Sequence, residues 1–286
     1  MRPSVKFMAA FLAGLALMAA APGAAAFEVV GLATPDSFIV DEATGNYYIS
    51  NIKGRPLVKN NGGFITLLKP DGQMEKLKFI EGGKQGVTLH APKGLLIIGD
   101  TLYAADIDHV RAFDKTTGAL KADIDFTPLK AKYLNDVAKG PGGRVFVSDT
   151  VGNTVYSIDI EHGNKVEVFA TGKNLESPTG LIYSPKLEKF FVTLGRGMVG
   201  TLDTGGKLEK FAVFPSRGLV GIDLDDEGNL FVSSFTRGII YRIGPDAKPK
   251  VLAHGISAPA DISLDKKKRL VLVPLFLRGR ALTIAY

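Results

Sequence analysis

The chain has 286 residues, a formal net charge of +6, 33 glycines and no cysteine. Without cysteine, disulfide staples, thiol catalysis and cysteine-based metal sites are excluded. Charges of both signs are interspersed, and no lysine/arginine cluster carries the interleaved aromatics of a nucleic-acid-binding surface.

Residues 1–26 read as a secretory signal. Arg2 and Lys6 form a basic start, Phe7 to Ala21 an apolar stretch, and Ala24 and Ala26 the small-residue pattern that a signal peptidase cleaves. Cleavage is expected before Phe27. The apolar stretch is shorter than the ~20 residues of a spanning helix, so no integral membrane segment is expected in the mature chain. With no cysteine to acylate, the lipoprotein route is closed. The product is expected to be exported, periplasmic or secreted, with residues 27–286 as one domain of net charge +4 once Arg2 and Lys6 are gone.

The mature chain begins with a short strand pattern, F-E-V-V-G-L-A at 27–33. A unit of about 40–45 residues then recurs six times, the period of propeller blades built from four strands each. Its openings are T-P-D-S-F at 34–38, A-P-K-G-L at 91–95, Y-L-N-D-V at 133–137, S-P-T-G-L at 177–181, G-L-V-G-I at 218–222 and A-P-A-D-I at 258–262. Each opening leads through a Gly- or Asp-rich turn to a β-branched and aromatic strand, such as R-V-F-V-S-D at 144–149 or N-L-F-V-S-S at 229–234. A third strand follows in most units, then a polar fourth. The last unit ends after its third strand at Tyr286, so the segment at 27–33 is expected to supply its outer strand and close the ring. The expected fold class is all-β: a six-bladed β-propeller, four antiparallel strands per blade.

In such a fold the first strand of every blade lines the axis, and its opening turn places residues at a common mouth. Aligning the openings gives a first ring of Asp36, Lys93, Asn135, Thr179, Val220 and Ala260, and a second of Ser37, Gly94, Asp136, Gly180, Gly221 and Asp261. Oxygen donors of this kind suit a hard cation, while single aspartates in turns also cap backbone N–H groups. Elsewhere, Asp223 to Gly228 resembles the start of a calcium loop, but its twelfth position is Ser234, so it reads as a turn. His90, His109, His162 and His254 lack metal-ligand spacing. The run Lys266 to Arg269 reads as a solvated hairpin tip.

The six-unit pattern, L-N-D-V-A at 134–138, P-T-G-L at 178–181 and A-P-A-D-I at 258–262 resemble the gluconolactonase/regucalcin (senescence-marker protein) superfamily over essentially the whole mature chain. The resemblance implies a divalent cation at the mouth, held by a first-opening Glu, a fourth-opening Asn and a fifth-opening Asp, with an Asn-Asp pair in the third opening at the substrate. Here those positions are Asp36, Thr179, Val220 and the pair Asn135-Asp136. The pair is intact, the Glu is shortened, and Val220 has no donor atom at all.

Two readings follow. In the first, the chain is a ligand- or protein-binding propeller with a degraded metal-hydrolase site, a small molecule or a protein being held at the mouth by Asn135, Thr179, Val220 and Asp261. In the second, it is a divalent-cation-dependent lactone or ester hydrolase with a shifted site. There Asp36, Asn135, Asp136 and Asp261 would hold the ion (Ca²⁺, or else Zn²⁺ or Mn²⁺), with Asp136 and Lys93 catalytic.

Overall fold

A computed structural model describes residues 26–286. The signal sequence expected at 1–26 therefore lies outside the described residues apart from Ala26. Six four-stranded antiparallel sheets surround one axis, and among the described residues the only helical segments are two 3₁₀ turns, Thr127–Leu129 and Pro141–Gly143. No helix among them is long and apolar enough to cross a membrane.

The inner strands are Pro35–Val40, Pro92–Ile98, Leu134–Lys139, Pro178–Ser184, Leu219–Leu224 and Ser263–Asp265, one for each of blades 1 to 6. The last is short, because residues 259–262 join their neighbours only through isolated bridges such as Ser37 to Asp261. Blade 6 is completed from the other end of the chain. Glu28–Val30 pairs with Arg280–Ala285, as the unpaired strand at 27–33 led us to expect. Phe27 secures this seam. Its N–H donates to Thr283 Oγ1 at 2.9 Å, and its ring packs edge-on against Phe38 and Tyr47.

Alternation along the second and third strands directs apolar side chains between blades. The major buried clusters therefore sit at blade interfaces; Tyr103, Phe126 and Val147 fill the junction of blades 2 and 3, and Phe190, Val155 and Leu194 that of blades 3 and 4. The ring has no single central core, and its axis is lined by both polar and aliphatic groups.

In blades 1 to 5 the pairing of inner and second strands slips where the opening residues lie, for instance between Pro35 and Phe38 or Leu134 and Val137. These bulges take the two ring residues of each blade out of the ladder and leave their backbone groups to be paired otherwise. A hydroxyl on the second strand does so. Ser148 Oγ accepts from Asp136 N (3.0 Å) and donates to Thr179 O (2.5 Å) of the next blade. Thr193 does the same for Gly180 N and Val220 O, and Ser233 for Gly221 N and Ala260 O. One residue further on, Asp106 and Asp149 cap the loops entering blades 2 and 3 by accepting two backbone N–H groups each from them.

Candidate functional site

The bulged residues do converge, as the aligned openings predict, but the two rings have different surroundings. The end of the channel where the inner strands begin is termed the front, and the end where they finish the back.

At the front, Asp36, Lys93, Asn135, Thr179 and Ala260 are all buried. The expected open mouth is covered by apolar side chains. Phe276, from blade 6, packs on Ile52, Ala91 and Ile107 of blades 1 and 2 and stacks edge-on with Phe235 of blade 5. Val220 lies part-buried in the ring beneath. Lys93 is fully enclosed; its Nζ donates to Ala91 O at 2.8 Å and lies 4.8 Å from the centre of the Tyr133 ring. Burial pulls its ammonium down to about 8, while the Asp36 carboxylate opposes the fall. Burial likewise pushes Asp36 up to about 6, with Lys93 working against the rise. Burial also pushes up the Tyr133 phenol, with Asp36 adding to the effect.

The second ring forms a waist. Its side chains point sideways at the next blade rather than along the axis. Ser37 Oγ accepts from Leu95 N at 3.3 Å, and Asp136 Oδ2 from Leu181 N at 2.7 Å. Glycine occupies this position in blades 2, 4 and 5 because the neighbouring strand is too near for a side chain. A Cβ on Gly94 would lie 2.6 Å from Asp136 Cα, and one on Gly221 would strike the amide nitrogen of Ile262. Asp136 Oδ1 also accepts from Val137 N at 2.7 Å, so both carboxyl oxygens of this catalytic candidate hold backbone.

Behind the waist the channel widens into a cavity of about 800 Å³. Ile39, Leu96, Ala138 and Ile182 line it together with the carboxyl groups of Asp136, Asp223 and Asp261, and the charged residues Asp41, Glu42, Lys115, Lys139 and Lys266 also border it. Burial raises all three acids. Hydrogen bonds from Leu181 and Val137 oppose the rise of Asp136, to which repulsion by Asp36 and Asp223 adds; repulsion by Asp136 adds to the rise of Asp261, which hydrogen bonding from Ser37 partly relieves. Asp223 is pushed up to about 6 although part of its surface meets the cavity, since that cavity is itself walled by protein. Its oxygens accept from Leu224 N (2.6 Å) and Leu264 N (2.8 Å), repeating the Asp136 arrangement across the next-but-one blade junction.

Asp223 is the site residue that sequence reasoning missed, having placed it in a turn that in fact begins at Asp225, whose carbonyl and carboxylate hold Gly228 and Asn229. Its signal was its offset: three residues beyond the ring position Val220, it aligns with the channel-facing Ile39, Leu96, Ala138 and Ile182. The structure therefore divides the predicted site residues. Asp136 and Asp261 reach the cavity, whereas Asp36, Lys93, Asn135 and Thr179 lie buried in the front ring.

A cation at the front ring finds some matching features. Asp36 Oδ2 and Asn135 Oδ1 are buried without hydrogen-bond partners. The remaining donors do not fit. Thr179 Oγ1 donates to Ser177 O at 3.2 Å, Val220 offers no oxygen from its side chain, and the Lys93 ammonium already places a positive charge beside Asp36. Calcium takes about 6–8 oxygen ligands, far more than this compartment presents. The histidines are likewise engaged or exposed. His90 Nδ1 accepts from Asn61 N, His109 and His162 contact neighbouring aspartates, and His254 is exposed.

No protein-family model matches the chain, and no curated protein matches it in sequence. Solved structures do match its shape. Virginiamycin B lyase from Staphylococcus aureus superposes with a TM-score of 0.66 at 12% identity, covering 92% of this chain and 99% of that one. A candidate gluconolactonase from structural genomics gives 0.70 at 15% identity, covering 93% of each chain. A Bacteroides thetaiotaomicron protein of unknown function gives 0.68 at 11% identity, covering 91% of this chain and 72% of that one. At such identities the likeness is one of fold. What the chain shares with these lyase and lactonase-type structures is the six-bladed β-propeller.

Proposed function

We propose that this protein is an exported small-molecule-binding propeller whose ligand occupies the back cavity, and that the front ring has given up metal-hydrolase chemistry for a sealed, lysine-neutralised interior. One observation carries the reading: a ligand-sized cavity in which aliphatic side chains meet the carboxyl groups of Asp136, Asp223 and Asp261. Small-molecule sites commonly enclose about 300–1,000 Å³ of mainly apolar space with a few placed polar groups. Carboxyl groups raised toward neutrality accept from, or give a proton toward, an incoming basic group, so the matching ligand has an apolar body and an amine or hydroxyl head. The anchored position of Phe27 at the seam supports maturation just before it.

The test compares octylamine, octanol and octanoate by thermal unfolding of the mature protein, since a ligand that binds only the folded state raises the midpoint. Octylamine should raise it most and octanoate least, and Ile182→Trp, which fills the cavity, should remove the shift. A shift from octanoate alone, or none from any probe, would overturn the reading. The hydrolase reading retains one supporting feature, the two carboxyl groups of Asp136 and Asp261 on one cavity. It predicts that Ca²⁺, Mn²⁺ or Zn²⁺ stabilises the protein and that Asp261→Ala abolishes the effect.

A further inference from the structure

Strand direction assigns every connection to one face of the ring. The front face collects the blade-to-blade connections and the turns between second and third strands, while the back face collects the other two kinds of hairpin. Both faces carry exposed cations without ion pairs among the described residues, but the front carries more; on the back these are Lys69, Lys139, Lys186 and Lys248. On the back, Lys266 pairs with Asp226 and Arg269 with Glu227, while Lys267 Nζ donates to Glu42 O. The basic run expected to be a solvated tip is in fact tied to blades 1 and 5. On the front, Lys53, Arg55 and Lys84 of blade 1 and Arg217 and Arg237 of blade 5 are exposed and form no ion pair among the described residues. Lys130, Lys132 and Lys173 extend the same pattern over blades 2 to 4. Of the carboxylates near this face, Asp108 is matched by Lys59 and Glu176 by Arg196, while the exposed Asp125 has only His109 beside it.

Aliphatic side chains project between these cations. Leu277 is 68% exposed and precedes Arg278; Leu57 and Val58, at 54% and 41%, lie between Arg55 and Lys59; Leu129 precedes Lys130. Other exposed aliphatics, such as Val168 and Val251, lie singly on outer strands. Scattered exposure of that sort is ordinary. The front gathers three tips beside unpaired cations, Leu57, Leu129 and Leu277, against one on the back, Leu187 beside Lys186.

We infer that the front face docks on an anionic lipid surface, with the tips around Leu57 and Leu277 entering the headgroup layer and the surrounding lysines and arginines meeting lipid phosphates. Charge complementarity identifies the class of partner, since juxtamembrane cations are drawn to anionic leaflets. The tips choose the bilayer over a soluble polyanion, which has no use for separated aliphatic side chains. The sealed front compartment suits this placement, because the cavity opens on the opposite face. The inference is independent of what that cavity holds.

The test is co-sedimentation of the mature protein with phosphatidylcholine vesicles, with and without about 30% phosphatidylglycerol. Binding should require phosphatidylglycerol and weaken as salt shortens the screening length. Lys53→Gln with Arg55→Gln should lower the partition coefficient by about 20- to 30-fold. Leu57→Asp with Leu277→Asp should also lower it, and Lys267→Gln on the back face should leave it unchanged. All these positions are exposed, so each variant should keep the parent unfolding midpoint. Absence of binding to phosphatidylglycerol vesicles would overturn the inference. So would undiminished binding by the leucine variant, which would mark a polyanion site, or loss on changing Lys267, which would mark the wrong face.

Discussion

Replacing Asp36 by Asn tests the electrostatics of the sealed compartment directly. The carboxyl titrates at about 6 in the folded protein against 3.8 when free. Raised by burial, it destabilises the fold as pH rises. The unfolded chain releases its proton near pH 4 and the native protein only near pH 6, so stability falls through that window and the full cost persists above it. The difference corresponds to roughly 3 kcal/mol. Asn cannot titrate, and Asp36 Oδ2 has no partner whose loss would confound the comparison. In the parent, Lys93, at about 8, stays protonated throughout the window; the variant removes the carboxylate that opposes its fall, and a proton lost by Lys93 on folding adds to the variant's gain as pH rises. Equilibrium urea unfolding of both proteins at about pH 4 and about pH 6.5 should therefore show the variant gaining roughly 2–3 kcal/mol relative to the parent between the two conditions. A relative stability that does not change with pH would refute the assigned burial. A change of opposite sign would mean that the carboxylate is stabilised in the folded state, as by a cation bound at Asp36, and repeating the titration with chelator would then tell Lys93 from a metal.

Three further substitutions follow from the same geometry. Ser148→Ala leaves Asp136 N and Thr179 O without their buried partner and should cost about 2–3 kcal/mol by urea unfolding, well above an exposed Ser→Ala control. Gly221→Ala drives a methyl into the Ile262 amide at the waist and should cost more than about 4 kcal/mol or prevent folding, read by circular dichroism and soluble yield. Phe276→Ala opens the apolar cover; reductive methylation near pH 8 should then modify Lys93, which is shielded in the parent, as mass spectrometry of the peptide containing it would show.

The repeat made most of the fold legible. Blade number, the inner strands and the closing strand at residues 27–33 could be read because each blade reuses one hydrophobic alternation. Convergence of Asp36, Asn135, Thr179 and Val220 was legible for the same reason. Which end of the channel is open was not, because that depends on Phe276, Phe235 and Ile52, side chains in connections where no repeat operates. Val220 looked like a lost ligand in sequence; in the structure it lies part-buried beneath an apolar cover. Asp223 was hidden because the bulge resets the alternation, returning a residue three positions downstream to the axis. The front-face cations escaped notice because no two blades contribute them from the same stretch of chain.

The seam in blade 6 has a consequence for how the molecule can be assembled. A ladder of three residues, Glu28–Val30, flanked by the bonds of Phe27 with Thr283 and of Leu32 with Gly279, joins the first strand to the last across nearly the full contour of the polypeptide. Five blades can form from neighbours in sequence as the chain emerges, but the circle stays open until Arg280–Ala285 has been made. Until then the outer side of blade 6 is an unprotected sheet margin, and a competing extended segment from another molecule could take the berth reserved for Val29. Shortening either terminus thus produces the same defect. Relocating the break to the exposed loop at 83–86, with the old termini joined, would instead yield a circle that closes between local partners.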